Sequence, residues 1–288
     1  MKRYLYNAEK DFLRPYEYLE SDRPVSPANI IAEFDELKLL DRIPAIDSLI
    51  LEGGDAENAA FDSLYRHTEI KSLKIAYYET DGYSLWTIDL SFFSSLQILV
   101  SSTSYNFKNI RSIGSLKALL VREWYNTDLG ILDGSEIESL VIVNGRKLIS
   151  FGGFSSERLK ALFVSYSRAE KIAPLESFRC LELLELDHCH RITDWDSFCL
   201  PGLKILFLLG NNKLRSVSFV DNLPDLRSFL LEGSIGDGDL LPLKRLDRCF
   251  VTPFKKNYNV SRNEIKEVYD YKTPLSIEPR FRYRDRKI

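Results

Sequence analysis

Apolar residues recur along the chain in a pattern of three positions, spaced as i, i+3 and i+5. The two clearest copies lie 22 residues apart and are Leu181, Leu184 and Leu186 with Cys189 at i+8, and Leu203, Leu206 and Leu208 with Asn211 at i+8. A unit this short has too few side chains to enclose a core of its own. The pattern therefore predicts a solenoid, in which stacked units share one continuous apolar core.

Ten copies of the pattern run from residue 46 to residue 248. They are Ile46/Leu49/Leu51, Ile70/Leu73/Ile75, Leu96/Leu99/Ser101, Leu116/Leu119/Val121, Ile137/Leu140/Ile142, Leu159/Leu162/Val164, Leu181/Leu184/Leu186, Leu203/Leu206/Leu208, Leu226/Phe229/Leu231 and Leu243/Leu246/Arg248. Ser101 and Arg248 stand where an apolar residue is expected. The central spacings are regular and the outer ones drift, as is typical of terminal repeats that cap a stack.

The motif L-x-x-L-x-L-x-x-(N/C) resembles that of the leucine-rich-repeat superfamily, and the resemblance covers about 200 of the 288 residues. The period is similar to the short repeats of internalins and of a leucine-rich regulatory subunit of protein phosphatase one. The resemblance implies an α/β solenoid with a parallel sheet on its concave face. The alternation of each x-L-x-L-x segment agrees, because it turns the leucines to one side and the intervening residues to the other.

The residues outside the motif predict a convex side and two caps. The segments between triplets have few helical periods and favour turns, irregular structure and 3₁₀ helix. Ser26-Pro27, followed by apolar residues at helical spacing, predicts an N-terminal capping helix. Ser261 and Glu264 predict a capping box that opens a second helix over 261–270. The chain thus divides into an N-terminal capping region at 1–45, repeats at 46–250, and a C-terminal cap with a basic tail at 251–288.

The same alternation identifies the side chains that face away from the core. The column between the second and third apolar positions reads Ile50, Lys74, Val100, Leu120, Val141, Phe163, Glu185, Phe207, Leu230 and Asp247. From Val100 to Leu230 it extends about 30 Å at the spacing of parallel strands, and an exposed apolar stripe of that size is typical of an interaction site. The predicted partner-binding residues are Leu120, Arg122, Val141, Phe163, Tyr166, Glu185, Asp187, Phe207, Leu209, Leu230 and Glu232. The alternative is that these residues pack on one another or under the tail after Asp270.

The tetrapeptide Asp187-His188-Cys189-His190 has the residue types of a metal site. The repeat register argues against a metal there, because Cys189 takes the inward position after the strand and His188 lies near the rim. The sequence contains no nucleophile elbow, phosphate-binding loop, dinucleotide fingerprint or zinc-protease motif. We therefore predict no catalytic residues, no metal and no cofactor.

Composition narrows the class of protein further. The formal net charge is −3, with 44% hydrophobic and 28% charged residues, which is typical of a soluble folded protein. The N-terminus lacks the apolar segment of a signal peptide, and four cysteines fit a reducing compartment, so a cytoplasmic location is expected. The tail residues 280–287 alternate basic and aromatic side chains and invite contact with nucleic acid. The net charge argues against that and favours a structural role.

Together these patterns predict a non-enzymatic, cytoplasmic module that binds a protein partner on its concave face and is monomeric when free. The more specific interpretation is a bacterial immunity or antitoxin-like protein that inhibits a toxin domain. The alternative is a regulatory or adaptor subunit of a cytosolic enzyme such as a phosphatase. No membrane association is expected.

Overall fold

The chain folds around a long parallel β-sheet. The computed structural model describes residues 28–53, 60–76, 87–104 and 107–265, without the side chains of Ala76 and Asn211. Within those ranges the main sheet has eleven strands. They are β1 Ala28–Ala32, β2 Ile46–Glu52, β3 Ser72–Ala76, β5 Ile98–Thr103, β7 Ala118–Glu123, β8 Ser139–Asn144, β9 Ala161–Ser165, β10 Leu183–Asp187, β11 Ile205–Leu214, β12 Ser228–Ile235 and β13 Arg248–Thr252. Two short strands, β4 Ile88–Asp89 and β6 Phe107–Lys108, pair separately on the return segments.

The strands follow one another in chain order, each parallel to the next. Equivalent positions of the motif meet in adjacent strands, as with Leu162, Leu184 and Leu206. Each repeat therefore adds one strand and returns along the other side of the stack. This topology confirms the leucine-rich-repeat solenoid predicted from the sequence.

The return segments are short, and most are 3₁₀ helices. These span Phe34–Arg42, Leu90–Phe92, Ile110–Ser112, Gly130–Leu132, Ala173–Ser177, Trp195–Ser197, Ser218–Asn222, Leu241–Arg245 and Arg262–Glu264, and one α-helix spans Phe61–Tyr65. Their apolar residues meet the strand leucines in one continuous core; Phe178, Phe198 and Leu184 are all 0% exposed. The irregular and 3₁₀ convex side predicted above is confirmed.

The N-terminal cap departs from its prediction. Residues 28–32 form strand β1, which pairs in parallel with β2, and helix begins only at Phe34. The prediction of a helix through these residues is therefore wrong, and Ser26-Pro27 lies outside the described residues. Phe34, Leu37 and Leu40 are nevertheless buried on one side of the 3₁₀ helix. Their helical spacing was read correctly, but the hydrogen bonds that the edge of β2 offers make the preceding residues extended.

The register of the last repeat also differs from the prediction. Cys249 pairs with Phe229 and Val251 with Leu231, and both inward side chains are buried. The tenth triplet is thus Leu246/Cys249/Val251, and Arg248 does not face the core. At the third repeat the predicted register is correct, because Ser101 pairs with Ile75 and is 1% exposed. Its hydroxyl donates to the carbonyl oxygen of Thr103 at 2.9 Å, which allows a polar group to occupy an inward site.

Small polar side chains follow several strands and satisfy backbone groups at the turn. The Ser167 hydroxyl donates to the Leu148 carbonyl oxygen at 3.1 Å, and the Cys189 thiol lies 3.5 Å from the Val164 carbonyl oxygen. In the next repeat the buried amide belongs to Asn212, which donates to the Leu209 carbonyl oxygen at 2.7 Å. The prediction placed Asn211 in this role. The register shifts after Leu208 in β11, which moves the inward position one residue along the chain.

The C-terminal capping box predicted from Ser261 and Glu264 is confirmed. The Glu264 carboxylate accepts from the backbone N–H of Ser261 at 2.9 Å and from its hydroxyl at 2.8 Å. These hydrogen bonds, with the Lys244 ammonium nearby, lower the pKa of Glu264 to about 2. The box opens the 3₁₀ helix Arg262–Glu264, and the rest of the predicted helix, 266–270, lies outside the described residues. In the part of the chain that the structure describes, no helix has the length and apolar character needed to cross a bilayer.

Candidate protein-binding surface

The outward side chains of the main sheet form the surface that the sequence predicts as a binding site, here called the concave face. Its central column is set by the strand register and runs through Ile50, Lys74, Val100, Leu120, Val141, Phe163, Glu185, Phe207, Leu230 and Phe250. The last member was predicted as Asp247. Because the final register is shifted, Phe250 takes that place beside Leu230, and the column ends on an aromatic residue.

Part of this column is less exposed than expected. Leu120, Val141 and Leu230 are 6%, 3% and 4% exposed. Each lies beside apolar side chains in both adjacent strands, as Val141 does between Leu120 and Phe163. The sequence predicted a continuously exposed apolar stripe, and that prediction is wrong at these three positions. The partly exposed members in β9 to β11 are Phe163, Glu185 and Phe207.

A second apolar cluster lies on the concave face, separate from the main core. It consists of Ala161, Leu183 and Ile205, which are 6%, 4% and 5% exposed, at the first residue of three successive strands. Phe207 packs against them and is partly exposed, so Phe207 is the part of the cluster that a partner can reach. Side chains of adjacent parallel strands are about 4.8 Å apart, close enough for continuous contact. The sequence prediction missed this cluster. Its signal was present, since the three residues repeat at the same 22-residue spacing as the leucines.

Carboxylates lie further along the same strands and in β12. Over residues 161–165, 183–187, 205–209 and 228–232 of β9 to β12, three outward side chains are acidic and none is basic; the acidic ones are Glu185, Asp187 and Glu232. The exposed Lys213 lies further along β11. The Glu232 carboxylate accepts from the backbone N–H of Gly210 at 3.2 Å. We call this region the apolar–acidic patch; it comprises Phe163, Leu183, Glu185, Asp187, Ile205, Phe207, Leu209, Leu230 and Glu232. An apolar centre bordered by charged side chains is the usual anatomy of a protein interface.

The rim beside the patch is built from left-handed backbone. Three residues at 22-residue intervals have a positive φ: Tyr166 after β9 (57°), His188 after β10 (54°) and Gly210 at the equivalent position within β11 (79°). Non-glycine residues seldom adopt this conformation, and those that do are frequent at functional sites. The rings of Tyr166 and His188 stack at 4.6 Å, and the Arg146 guanidinium lies 6.0 Å from the Tyr166 ring centre. The sequence placed His188 near this rim and Tyr166 among the binding residues, without indicating that their rings stack.

The remaining predicted binding residues do not join the patch. Val141 on β8 pairs with Phe163 of the patch but is only 3% exposed, and Leu120 and Arg122 lie one strand further away on β7. Arg122 is half-buried on the outward side of its strand. The structure therefore brings together Phe163, Tyr166, Glu185, Asp187, Phe207, Leu209, Leu230 and Glu232, and it leaves Leu120, Arg122 and Val141 on the adjoining part of the face. Binding by any of them stays a prediction.

The tetrapeptide Asp187-His188-Cys189-His190 splits between the surface and the core. The His188 Nδ1 lies 2.6 Å from the Asp187 carboxylate on the rim. Cys189 points the other way and is 2% exposed, and burial raises the pKa of its thiol from 9.0 to about 12. A thiol with that pKa stays protonated at neutral pH and is a poor metal ligand and nucleophile. Burial, followed by the nearby His188, lowers the pKa of His190. Across the described residues no three His, Cys, Asp or Glu side chains are grouped to hold a metal ion.

Charged side chains alternate along the sheet edge where the strands begin. The Lys160 ammonium donates to the Glu138 carboxylate at 2.8 Å, and the Lys204 ammonium to the Glu182 carboxylate at 2.8 Å. The hydrogen bond from Lys160 is the main reason that the pKa of Glu138 is lowered. These exposed ion pairs contribute little stability. Each pair joins two neighbouring repeats, so these charges have a structural role within the solenoid. The apolar–acidic patch is therefore the better candidate for binding a partner.

Two solved structures are similar to this chain over most of its length. One is an internalin from Listeria monocytogenes, with 15% identity, a TM-score of 0.47, and coverage of 78% of this chain and 72% of that chain. The other is a leucine-rich-repeat protein of Leptospira interrogans, with 15% identity, a TM-score of 0.36, and coverage of 74% and 73%. No protein-family model and no curated protein matches the sequence. The fold assignment accordingly rests on the sheet register described above.

Proposed function

We propose that this chain is a protein-binding module and that the apolar–acidic patch is where the partner sits. The observation that supports this is the position of Phe163 and Phe207, which flank Glu185 in adjacent strands and remain partly exposed on a rigid sheet. Large aromatic side chains at the centre of a polar-rimmed surface supply most of the affinity in many interfaces. A parallel sheet of this length holds them in place before binding, which reduces the entropy lost on association.

Affinity capture with matched variants tests this proposal. The tagged full chain, its Phe163→Ala/Phe207→Ala variant and an Ile149→Ala/Leu241→Ala control are used to capture proteins from the source organism. Ile149 and Leu241 are 56% and 55% exposed, so the control removes apolar surface away from the patch. Circular dichroism and thermal unfolding verify that all three chains are folded. A partner that needs the patch should bind the double phenylalanine variant more weakly by about 2–4 kcal/mol. Capture of the same proteins in equal amounts by all three chains would contradict the proposal.

The specific role we propose is that of an immunity or antitoxin-like inhibitor, which covers the working surface of a toxin domain. The acidic character of the patch supports this, because it complements a basic surface such as the cleft of an enzyme that handles phosphate groups. Co-expression with the product of an adjacent gene that arrests growth should restore growth for the wild type and the Ile149→Ala/Leu241→Ala control, but not for the Phe163→Ala/Phe207→Ala variant. Recovery of a host enzyme without growth-arresting activity would instead favour the regulatory or adaptor role.

A further inference from the structure

The apolar–acidic patch has the chemistry to hold arginine side chains. Glu185 pairs in register with Phe163 on one side and Phe207 on the other. The two phenylalanines are therefore two strand spacings, about 10 Å, apart, with a carboxylate between them. A guanidinium can stack on an aromatic ring while it donates two hydrogen bonds to a carboxylate. Asp187 in the same strand and Glu232 in β12 add negative charge around this position.

The C-terminal segment of the chain carries the complementary groups. Residues 280–287 read Arg-Phe-Arg-Tyr-Arg-Asp-Arg-Lys, with five basic residues, one acidic residue and two aromatic residues. They lie outside the described residues. In an extended chain, alternate side chains point to opposite sides, so the arginines share one side and Phe281 and Tyr283 the other. An extended segment of this sequence would present a row of guanidinium groups to a surface that it lay against.

The segment can reach the patch. Ile265 is the last described residue and is 4% exposed in the same core cluster as Cys249 and Val251 of β13. The 15 residues from there to Arg280 extend to about 50 Å at most. The sheet order puts β13 four strands from β9, or about 19 Å. The tether is therefore long enough to pass around the sheet edge and cross the whole patch.

We propose that residues 280–287 occupy the apolar–acidic patch of their own chain and that a protein partner displaces them when it binds. This rests on the proposed function, because it assigns a resting occupant to the same face. A tethered segment has an effective concentration of the order of millimolar, so even weak intrinsic affinity keeps it in place. The apparent affinity for the partner is then lower, because the partner must first displace the bound segment.

A labelled copy of the segment tests this in the full-length protein. A fluorescein-labelled peptide of residues 278–288 is titrated with the wild type and with the Arg280→Gln/Arg282→Gln/Arg284→Gln/Arg286→Gln variant, and fluorescence anisotropy is measured. The variant no longer carries an internal competitor and should bind the peptide at least about tenfold more tightly than the wild type. Adding Glu185→Gln and Phe163→Ala/Phe207→Ala to the variant should abolish this gain, whereas adding Glu157→Gln, at an exposed residue of the turn before β9, should not. A peptide with lysine in place of arginine should bind the variant more weakly.

Several results would overturn the inference. These are a peptide that binds neither chain, equal affinity for the wild type and the arginine-free variant, and binding that ignores Glu185 and the two phenylalanines. If the lysine peptide bound as tightly as the arginine peptide, the attraction would be one of charge alone, and the inference would also be overturned. A partner captured through Phe163 and Phe207 in spite of such results leaves the proposed function standing alone. A bound peptide with no phenylalanine-dependent partner would instead overturn the proposed function.

Discussion

The imidazole ring of His188 stacks on the phenol ring of Tyr166, with ring centres 4.6 Å apart and planes inclined by 20°. The two residues occupy the same place in successive repeats, and each has a positive φ. The next repeat has Gly210 there, and a Cβ built on that glycine would lie 2.5 Å from the His188 Nδ1. The equivalent residue of the third of these repeats is therefore a glycine, and the space left by its missing side chain is occupied by the His188 ring.

Replacing Gly210 with alanine should therefore destabilise the fold for two reasons. The left-handed conformation costs an L-residue about 1 kcal/mol, and displacement of the His188 ring should add about 1 kcal/mol more. Gly134→Ala is the matched control, because Gly134 has φ of 81° with nothing within 4 Å of its added Cβ. In urea unfolding, Gly210→Ala should lower the free energy of unfolding by about twice as much as Gly134→Ala. In a His188→Ala background the two losses should become equal, and a persistent difference would contradict the explanation.

The four cysteines should react in two classes. Cys180 and Cys199 are exposed, whereas Cys189 and Cys249 are buried. Iodoacetamide attacks the thiolate, so the folded chain at pH 8 should be modified at the two exposed cysteines, and the chain unfolded in urea at all four. Peptide mass spectrometry locates the adducts. Modification of Cys189 at the rate of Cys180 would show that the turn after β10 opens readily.

The raised pKa of Cys189 predicts how stability depends on pH. The folded chain keeps this thiol protonated to about pH 12, while the unfolded chain releases the proton near its ordinary pKa of 9.0. The stabilising contribution is fully present below pH 9 and is lost as the pH rises toward 12. Relative to a Cys189→Ser variant, the free energy of unfolding should fall by about 1.4 kcal/mol for each pH unit in that window. Urea titrations of both chains at pH 8 and pH 10 measure the change, and parallel curves would refute the prediction.

Arg245 should stabilise the end of the preceding 3₁₀ helix. Its guanidinium donates to the carbonyl oxygens of Val220 at 2.5 Å, Leu223 at 2.7 Å and Leu226 at 3.3 Å. Arg245→Met should lower the free energy of unfolding by about 1–2 kcal/mol, and Arg245→Lys should retain only part of that, because an ammonium cannot match the fork of donors. Arg179→Met, at another exposed arginine, should change stability by less than about 0.5 kcal/mol. Equal stability of the lysine variant and the wild type would show that the donor geometry is unimportant.

Local sequence was sufficient to predict the solenoid, its parallel sheet and its 3₁₀ convex side. The reason is that Leu184, Leu186 and their equivalents repeat at a period that buries apolar side chains only when units stack. The same alternation placed Phe163, Glu185 and Phe207 on the outward face in the correct register. The prediction failed at the two ends of the stack. Arg248 does not face the core because the last repeat is displaced, and residues 28–32 form a strand rather than a helix because they pair with β2.

Tertiary structure alone decided which outward residues form a surface and which stay buried. Exposure depends on the side chains in the two neighbouring strands, which lie about 22 residues away in the chain and only about 4.8 Å away in space. That is why Leu120 and Val141 proved to be buried, and why Leu183 joined Ala161 and Ile205 in a cluster that local reasoning missed. The leucine period by itself determined the direction of each side chain, and contact between repeats determined what each side chain meets there.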